Sequence, residues 1–106
     1  MEDVVTGFFA AVSRSDGAAA CERLAPAARS ELESSAGTSC RRAVLQEVDP
    51  ATGPPVVEVY GGGAQARVGD DTAFLAEFRD GWLITAVGCT SAPHPDRPFD
   101  CTVHGG

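Results

Sequence analysis

The chain has 106 residues, a net charge of −7 and eight basic residues, all of them arginine. This length fits one domain with one hydrophobic core. The 15 acidic residues repel phosphate backbones and anionic membrane surfaces, so we expect no nucleic-acid partner. No apolar run approaches the roughly 18 residues that a membrane-spanning helix needs.

The first half of the chain has helical periodicity. Valine and phenylalanine recur at helical spacing between Val4 and Val12 and predict a first helix. A second, short helix is expected over residues 18–24, and a third begins at Pro26, a residue suited to a first helical turn. A fourth follows Ser39, which can cap it. Four helices are therefore predicted within about residues 3–48.

From residue 51 on, the pattern becomes that of strands. Residues 56–60 are rich in β-branched side chains, and alternation of apolar and other residues follows. Asp80-Gly81 predicts a two-residue hairpin turn. The strands are expected at about residues 56–60, 64–68, 72–78, 82–89 and 99–103, a sheet spanning about 55–103. Residues 1–106 thus form a single α+β domain, with the helices on one face of a curved antiparallel sheet.

The predicted strands carry apolar residues on both faces. We expect Leu75, Leu83 and Val87 on one face and Phe74, Phe78, Trp82 and Ile84 on the other. Such a sheet lines a pocket, meets a partner, or curves enough to bury part of its second face. The candidate pocket or interface residues are Tyr60, Phe74, Leu75, Phe78, Trp82 and Leu83.

The four cysteines indicate both architecture and compartment. Cys21, Cys40, Cys89 and Cys101 permit three pairings. We expect Cys21–Cys40 and Cys89–Cys101, because each joins neighbours in the predicted architecture. Two disulfides favour a location outside the reducing cytoplasm.

The acidic beginning of the chain, Met1-Glu2-Asp3, does not resemble a signal peptide. We therefore expect that an N-terminal export segment or lipid anchor was removed. The membrane would then be a partner only through that anchor.

Zinc is the alternative role for two of these cysteines. Two thiolates and two imidazoles suit structural zinc, and Cys89, His94, Cys101 and His104 offer them close together in sequence. Their spacing does not match the usual ligand pairs, and zinc would leave the other two cysteines unexplained. We expect no metal and no cofactor.

No catalytic set is evident. The chain lacks a G-x-S-x-G elbow, and Gly61-Gly62-Gly63 lacks the lysine of a phosphate-binding loop. We expect no catalytic residue. Should the sheet form a pocket, its first polar candidates would be Glu58, Tyr60 and Glu77, and a small isomerase, cyclase or hydrolase is the alternative function.

Two segments carry a resemblance to a known family. FFAAVSRSDGAAACERLAPAARSEL, residues 8–32, resembles the opening of nuclear transport factor two-like (SnoaL-like) domains, and DTAFLAEFRDGWLITAVGC, residues 71–89, resembles their final hairpin. The closer likeness is to small secreted or lipid-anchored actinobacterial members with four cysteines. Catalytic members hold a His-Asp pair or an Asp base in a pocket, whereas both histidines of this chain lie in its C-terminal tail.

The resemblance implies a cystatin-like cone, in which a curved sheet wraps around a long helix, often holds a pocket and often dimerises through the sheet. The expected function is that of a non-catalytic, extracytoplasmic binding or interaction domain. It would be the soluble part of an exported or lipid-anchored protein. Its partner would be a protein or a small apolar ligand, and a homodimer through the sheet is expected as one form.

Overall fold

A computed structural model describes residues 2–48, 53–69, 71–79, 81–91 and 99–104. Within these residues four helices precede five strands, so the chain has the predicted α+β class. The elements are α1 (Glu2–Ser13), α2 (Gly17–Glu22), α3 (Pro26–Ala36), α4 (Cys40–Glu47), β1 (Val56–Tyr60), β2 (Gly63–Val68), β3 (Asp71–Phe78), β4 (Gly81–Ser91) and β5 (Phe99–His104).

Local chemistry explains where the helices begin and end. The side chain of Asp16 caps α2 by accepting a hydrogen bond from the N–H of Ala19 (3.2 Å). Pro26 occupies the first turn of α3, and Gly37 ends that helix in the left-handed region, at φ 68°. The helices lie within about two residues of their predicted bounds.

The strands form one antiparallel sheet in the order β1-β2-β3-β4-β5. Gly61 and Gly69 follow the first two strands with positive φ, a conformation that tight hairpin turns require. The third hairpin corrects the prediction. Phe78 pairs with Gly81, so residues 79 and 80, not 80 and 81, separate β3 from β4.

Strand β4 contains extra residues relative to β3. One is Thr85, whose flanking residues pair with consecutive residues of β3. Its Oγ1 donates a hydrogen bond to the carbonyl oxygen of Phe74 (3.2 Å). A second register shift lies nearer Gly88, which has φ 70°. Such bulges bend a strand, and Ile84 and Val87, although three residues apart, are both fully buried.

The hydrophobic core lies between the helices and one face of the sheet. Helices α1 and α3 contact β4, and α3 also contacts β5. The rings of Phe8 and Phe9 meet edge to face with centroids 5.2 Å apart. The largest fully buried side chains come from both layers: Phe8, Leu24, Leu32, Ile84, Val5, Val44 and Val87.

The connection between α2 and α3 joins the helical layer to the sheet. The N–H of Ile84 donates to the carbonyl oxygen of Arg23 (2.9 Å), and the N–H of Ala25 donates to the carbonyl oxygen of Ile84 (2.8 Å). Leu24, between them, forms an isolated parallel bridge with Ile84. The connection therefore lies beside β4 like a very short additional strand.

A disulfide between Cys21 and Cys40 ties α2 to the first residue of α4, with 6.2 Å between the Cα atoms. This confirms the first predicted pairing. The Cα separation is within the usual range for a disulfide, and both cysteines are buried.

Replacing both of these cysteines by serine (C21S/C40S) should lower the free energy of unfolding by about 3 kcal/mol, because a cross-link restricts the unfolded chain. Urea unfolding without reductant measures the change. A loss of less than about 1 kcal/mol would show that the cross-link contributes little beyond the packing of α2 on α4.

Candidate functional site

Four of the six candidate residues lie together on the sheet face opposite the helices. Strand pairing places Tyr60 and Leu83 in one row across β1 to β4, and Phe74 and Phe78 on the same face of β3. Tyr60 is 54% exposed and Phe78 40%, whereas Phe74 and Leu83 are half-buried. We call these four residues the outer-face patch.

The other two candidates lie on the helix-packed face. Leu75 pairs with Ile84 and is only 3% exposed. Trp82 pairs with Glu77 on that same face and, like Leu83 of the patch, is half-buried and packs against the core. Neither therefore belongs to the outer-face patch.

The expected grouping of Leu75 with Leu83 is wrong for a geometric reason. Directly paired residues share a face, and around this hairpin each pair joins an odd-numbered residue to an even-numbered one, such as Leu75 to Ile84. Alternation was predicted correctly along β3, but the bulge at Thr85 interrupts it in β4, where Val87 is fully buried like Ile84 and not grouped with Leu83. The register between the strands then decides which residues of β3 and β4 share a face.

The polar candidates do not converge. Glu58 and Tyr60 lie on the outer face of the edge strand β1 and are exposed. Glu77 is also exposed but follows Leu75 on the helix side of β3. Since these side chains lie on opposite faces of the sheet, they do not line one common pocket.

Among the described residues, open grooves lie in the helical layer. An open groove of about 470 Å³ runs between α2, α3 and α4, over the disulfide. A second groove of about 510 Å³ lies on the other side of Ala18 and Ser39. Neither groove was predicted, because they arise where the ends of separate helices meet. The first is lined by Ala18, Cys21, Glu22, Pro26, Arg29, Ser30, Glu33, Ser39, Cys40 and Arg41.

One carboxylate of the first groove has a structural partner. Glu33 Oε2 accepts a hydrogen bond from the N–H of Cys40 (3.0 Å), at the start of α4. Ser39, the predicted cap, makes no side-chain capping bond. A carboxylate is favoured at the positive end of a helix, so Glu33 supplies the cap from seven residues away. No local motif signals such a distant cap.

The described part of the chain shows no cluster of side chains suited to metal binding. No group of three or more His, Cys, Asp or Glu side chains there could hold a metal ion. Glu31 has a buried oxygen, Oε2, without a hydrogen-bond partner, while its Oε1 accepts from the Ser35 hydroxyl (3.4 Å). Of the alternative zinc set, His94 and the side chains of Cys89, Cys101 and His104 lie outside the description.

The backbone places the two cysteines of the second predicted disulfide on neighbouring strands. Cys89 of β4 and Cys101 of β5 are direct partners in the antiparallel register. Direct partners have Cα atoms roughly 4.5–5.5 Å apart, a separation that a disulfide can span. The pairing of Cys89 with Cys101 stays a prediction.

Comparison of the chain with protein-family models, curated proteins and solved structures found no match. None of the described helices is long and apolar enough to span a membrane. The outer-face patch is the candidate site taken forward from the sheet geometry.

Removing the distant cap (E33A) should destabilise the fold by about 1 kcal/mol, because the first N–H of α4 loses its acceptor. Urea unfolding measures the change. Glu22, an exposed glutamate of the same groove, provides the matched control, and an equal loss in E22A would mean that the groove's overall charge, not the cap, stabilises the fold.

Proposed function

We propose that this chain is a non-catalytic binding or interaction domain that works outside the reducing cytoplasm. The outer-face patch carries this proposal. Its apolar side chains share a face with Glu58 and Arg67 of β1 and β2, while the other face of the sheet packs on the helices. Apolar residues grouped on a surface with polar neighbours are typical of an interaction site.

A partner protein suits this surface better than a small apolar ligand. Small-molecule sites are concave and enclose most of their ligand, whereas the patch lies on a sheet face with Tyr60 and Phe78 substantially exposed. Tyrosine is well suited to such a contact, since its ring is apolar and its hydroxyl can stay hydrated.

The compartment is proposed from cysteine chemistry. The Cys21–Cys40 disulfide would persist in an oxidising environment and is uncommon in cytosolic proteins. We therefore propose that the domain is the soluble part of an exported or lipid-anchored protein.

Membership of the SnoaL-like superfamily is part of the proposal. Helices that precede an antiparallel sheet are compatible with a cystatin-like cone, and the bulges of β4 favour the curvature that a cone needs. In this family a homodimer through the sheet would cover the outer-face patch.

The alternative, a small pocket enzyme, has less support. Its polar residues would be Glu58, Tyr60 and Glu77, which are exposed on two different faces. Catalytic carboxylates are usually held in a water-poor cleft that tunes them, and these glutamates lie on the open surface.

The binding role of the patch is testable with the apolar dye 8-anilinonaphthalene-1-sulfonate (ANS). Phe78→Ser should reduce the fluorescence of bound ANS, because it removes an exposed aromatic ring of the patch. Leu45→Ser is the control, since Leu45 is similarly exposed (36%) but lies on α4. Urea unfolding verifies that both variants are folded.

Equal losses of fluorescence in F78S and L45S, or no dye binding by the unmodified chain, would contradict an apolar binding surface on the sheet.

The second disulfide is testable by peptide mapping without reductant. Endoproteinase Asp-N cuts before aspartate, and cuts before Asp80, Asp96 and Asp100 separate Cys89 from Cys101. We expect the two resulting peptides, residues 80–95 and 100–106, to be joined until a reductant is added. Free thiols on both peptides would leave only the Cys21–Cys40 cross-link as support for the proposed compartment.

A further inference from the structure

The edge strand β1 has a pairing partner on one side only among the described residues, namely β2. Its exposed side chains are mostly apolar: Val56 is 54% exposed, Val59 56% and Tyr60 54%. Edge strands present unpaired backbone groups to any extended chain, and natural proteins usually protect them with charges, proline or bulges. Here five residues of edge carry a single charge, that of Glu58.

A row of apolar core residues that crosses the sheet ends at β1 with an exposed side chain. On the helix side of the sheet, Val59 of β1 continues the row formed by Ala64, Leu75 and Ile84. The last three residues are at most 3% exposed, whereas more than half of Val59 is open. A further strand beside β1 would cover Val59 and extend the row by one residue.

The central charge decides which strand fits. If β1 paired antiparallel with β1 of a second copy over its full length, Val57 would face Val59 and Val56 would face Tyr60, which are favourable pairs. Glu58 would then face Glu58 of the other copy, and like charges directly opposite are destabilising.

Shifted registers do not rescue self-pairing. A shift toward the N-terminus uses Pro55, which has no N–H to donate. A shift toward the C-terminus uses Gly61, which lies in the turn with positive φ. Identical copies are therefore poor partners for this edge.

A cation opposite Glu58 would convert the unfavourable pair into a favourable one. On β2 the residue directly opposite Glu58 is the neutral Gln65. Arg67 is only a diagonal neighbour of Glu58. The position directly opposite Glu58 on β2 therefore carries no positive charge. The net charge of −7 also attracts a basic partner over a longer range.

We propose that β1 docks an extended segment of a partner protein that carries lysine or arginine opposite Glu58 and apolar residues at the flanking positions. Backbone hydrogen bonds would supply affinity, and the alternating side chains would supply specificity. This inference names a partner chemistry for the proposed binding role and rests on that role. The docking edge meets the outer-face patch at Tyr60.

The chain itself provides a probe with this chemistry. The variant E58K presents the same apolar edge with a central lysine, and sedimentation velocity over a concentration series compares it with the unmodified chain. We expect a heterodimer in the mixture, with an association constant about tenfold or more above that of either protein alone. In a mixture with ¹⁵N-labelled unmodified chain, amide shifts should concentrate in β1.

The matched control is E77K, which has the same net charge as E58K but changes an exposed glutamate of β3, away from the edge. Equal association of E77K with the unmodified chain would overturn the proposal, and so would a mixture of the chain and E58K that stays monomeric. Self-association of the unmodified chain as strong as in the mixture would assign the edge to a second copy instead.

The variant F78S separates this inference from the proposed function. Phe78 lies on β3 beyond the β1 edge, so F78S should lose ANS fluorescence yet still pair with E58K. Heterodimer formation without dye binding would overturn the outer-face patch alone. Dye binding without heterodimer formation would overturn the docking edge alone.

Discussion

Two backbone hydrogen bonds at Ile84 join the helical layer directly to the sheet. They connect β4 to Arg23 and Ala25, on either side of Leu24. Backbone bonds of this kind are shielded from water when their surroundings are buried, and breaking them would leave buried polar groups unpaired. The attachment therefore holds the connection between α2 and α3 beside β4, while the buried side chains of both layers cover one face of the sheet.

The helices and strands were predictable because their signals are local. Asp16, Pro26 and Gly37 mark helix ends by side-chain or backbone chemistry that acts over a few residues. Strand faces were less predictable, since the register of β3 on β4 joins residues from two separate alternations. The bridge of Leu24 to Ile84 spans 60 positions, and no local pattern encodes it.

For the candidate site too, the sequence predicted which residue types are present but not how the strands arrange them. An excess of apolar residues in the strands was visible in the sequence, but Leu75 and Phe78 differ in exposure because they lie on opposite faces of β3 and Phe78 is at its end. The chemistry of Glu58 was likewise hidden. Its position becomes informative only once β1 is seen to be an edge strand among the described residues, with apolar neighbours on both sides of Glu58; the proposed selection of a basic partner depends on that position.

The cross-link between Cys21 and Cys40 has a consequence for how this protein tolerates damage and change. The disulfide closes a covalent loop of chain from Cys21 to Cys40, and α3 is part of that loop. A peptide bond cut inside that loop leaves both fragments attached to the same molecule. The exposed surface of α3, including Arg29 and Ser34, is therefore a region where nicking or sequence variation need not separate the helical layer into pieces.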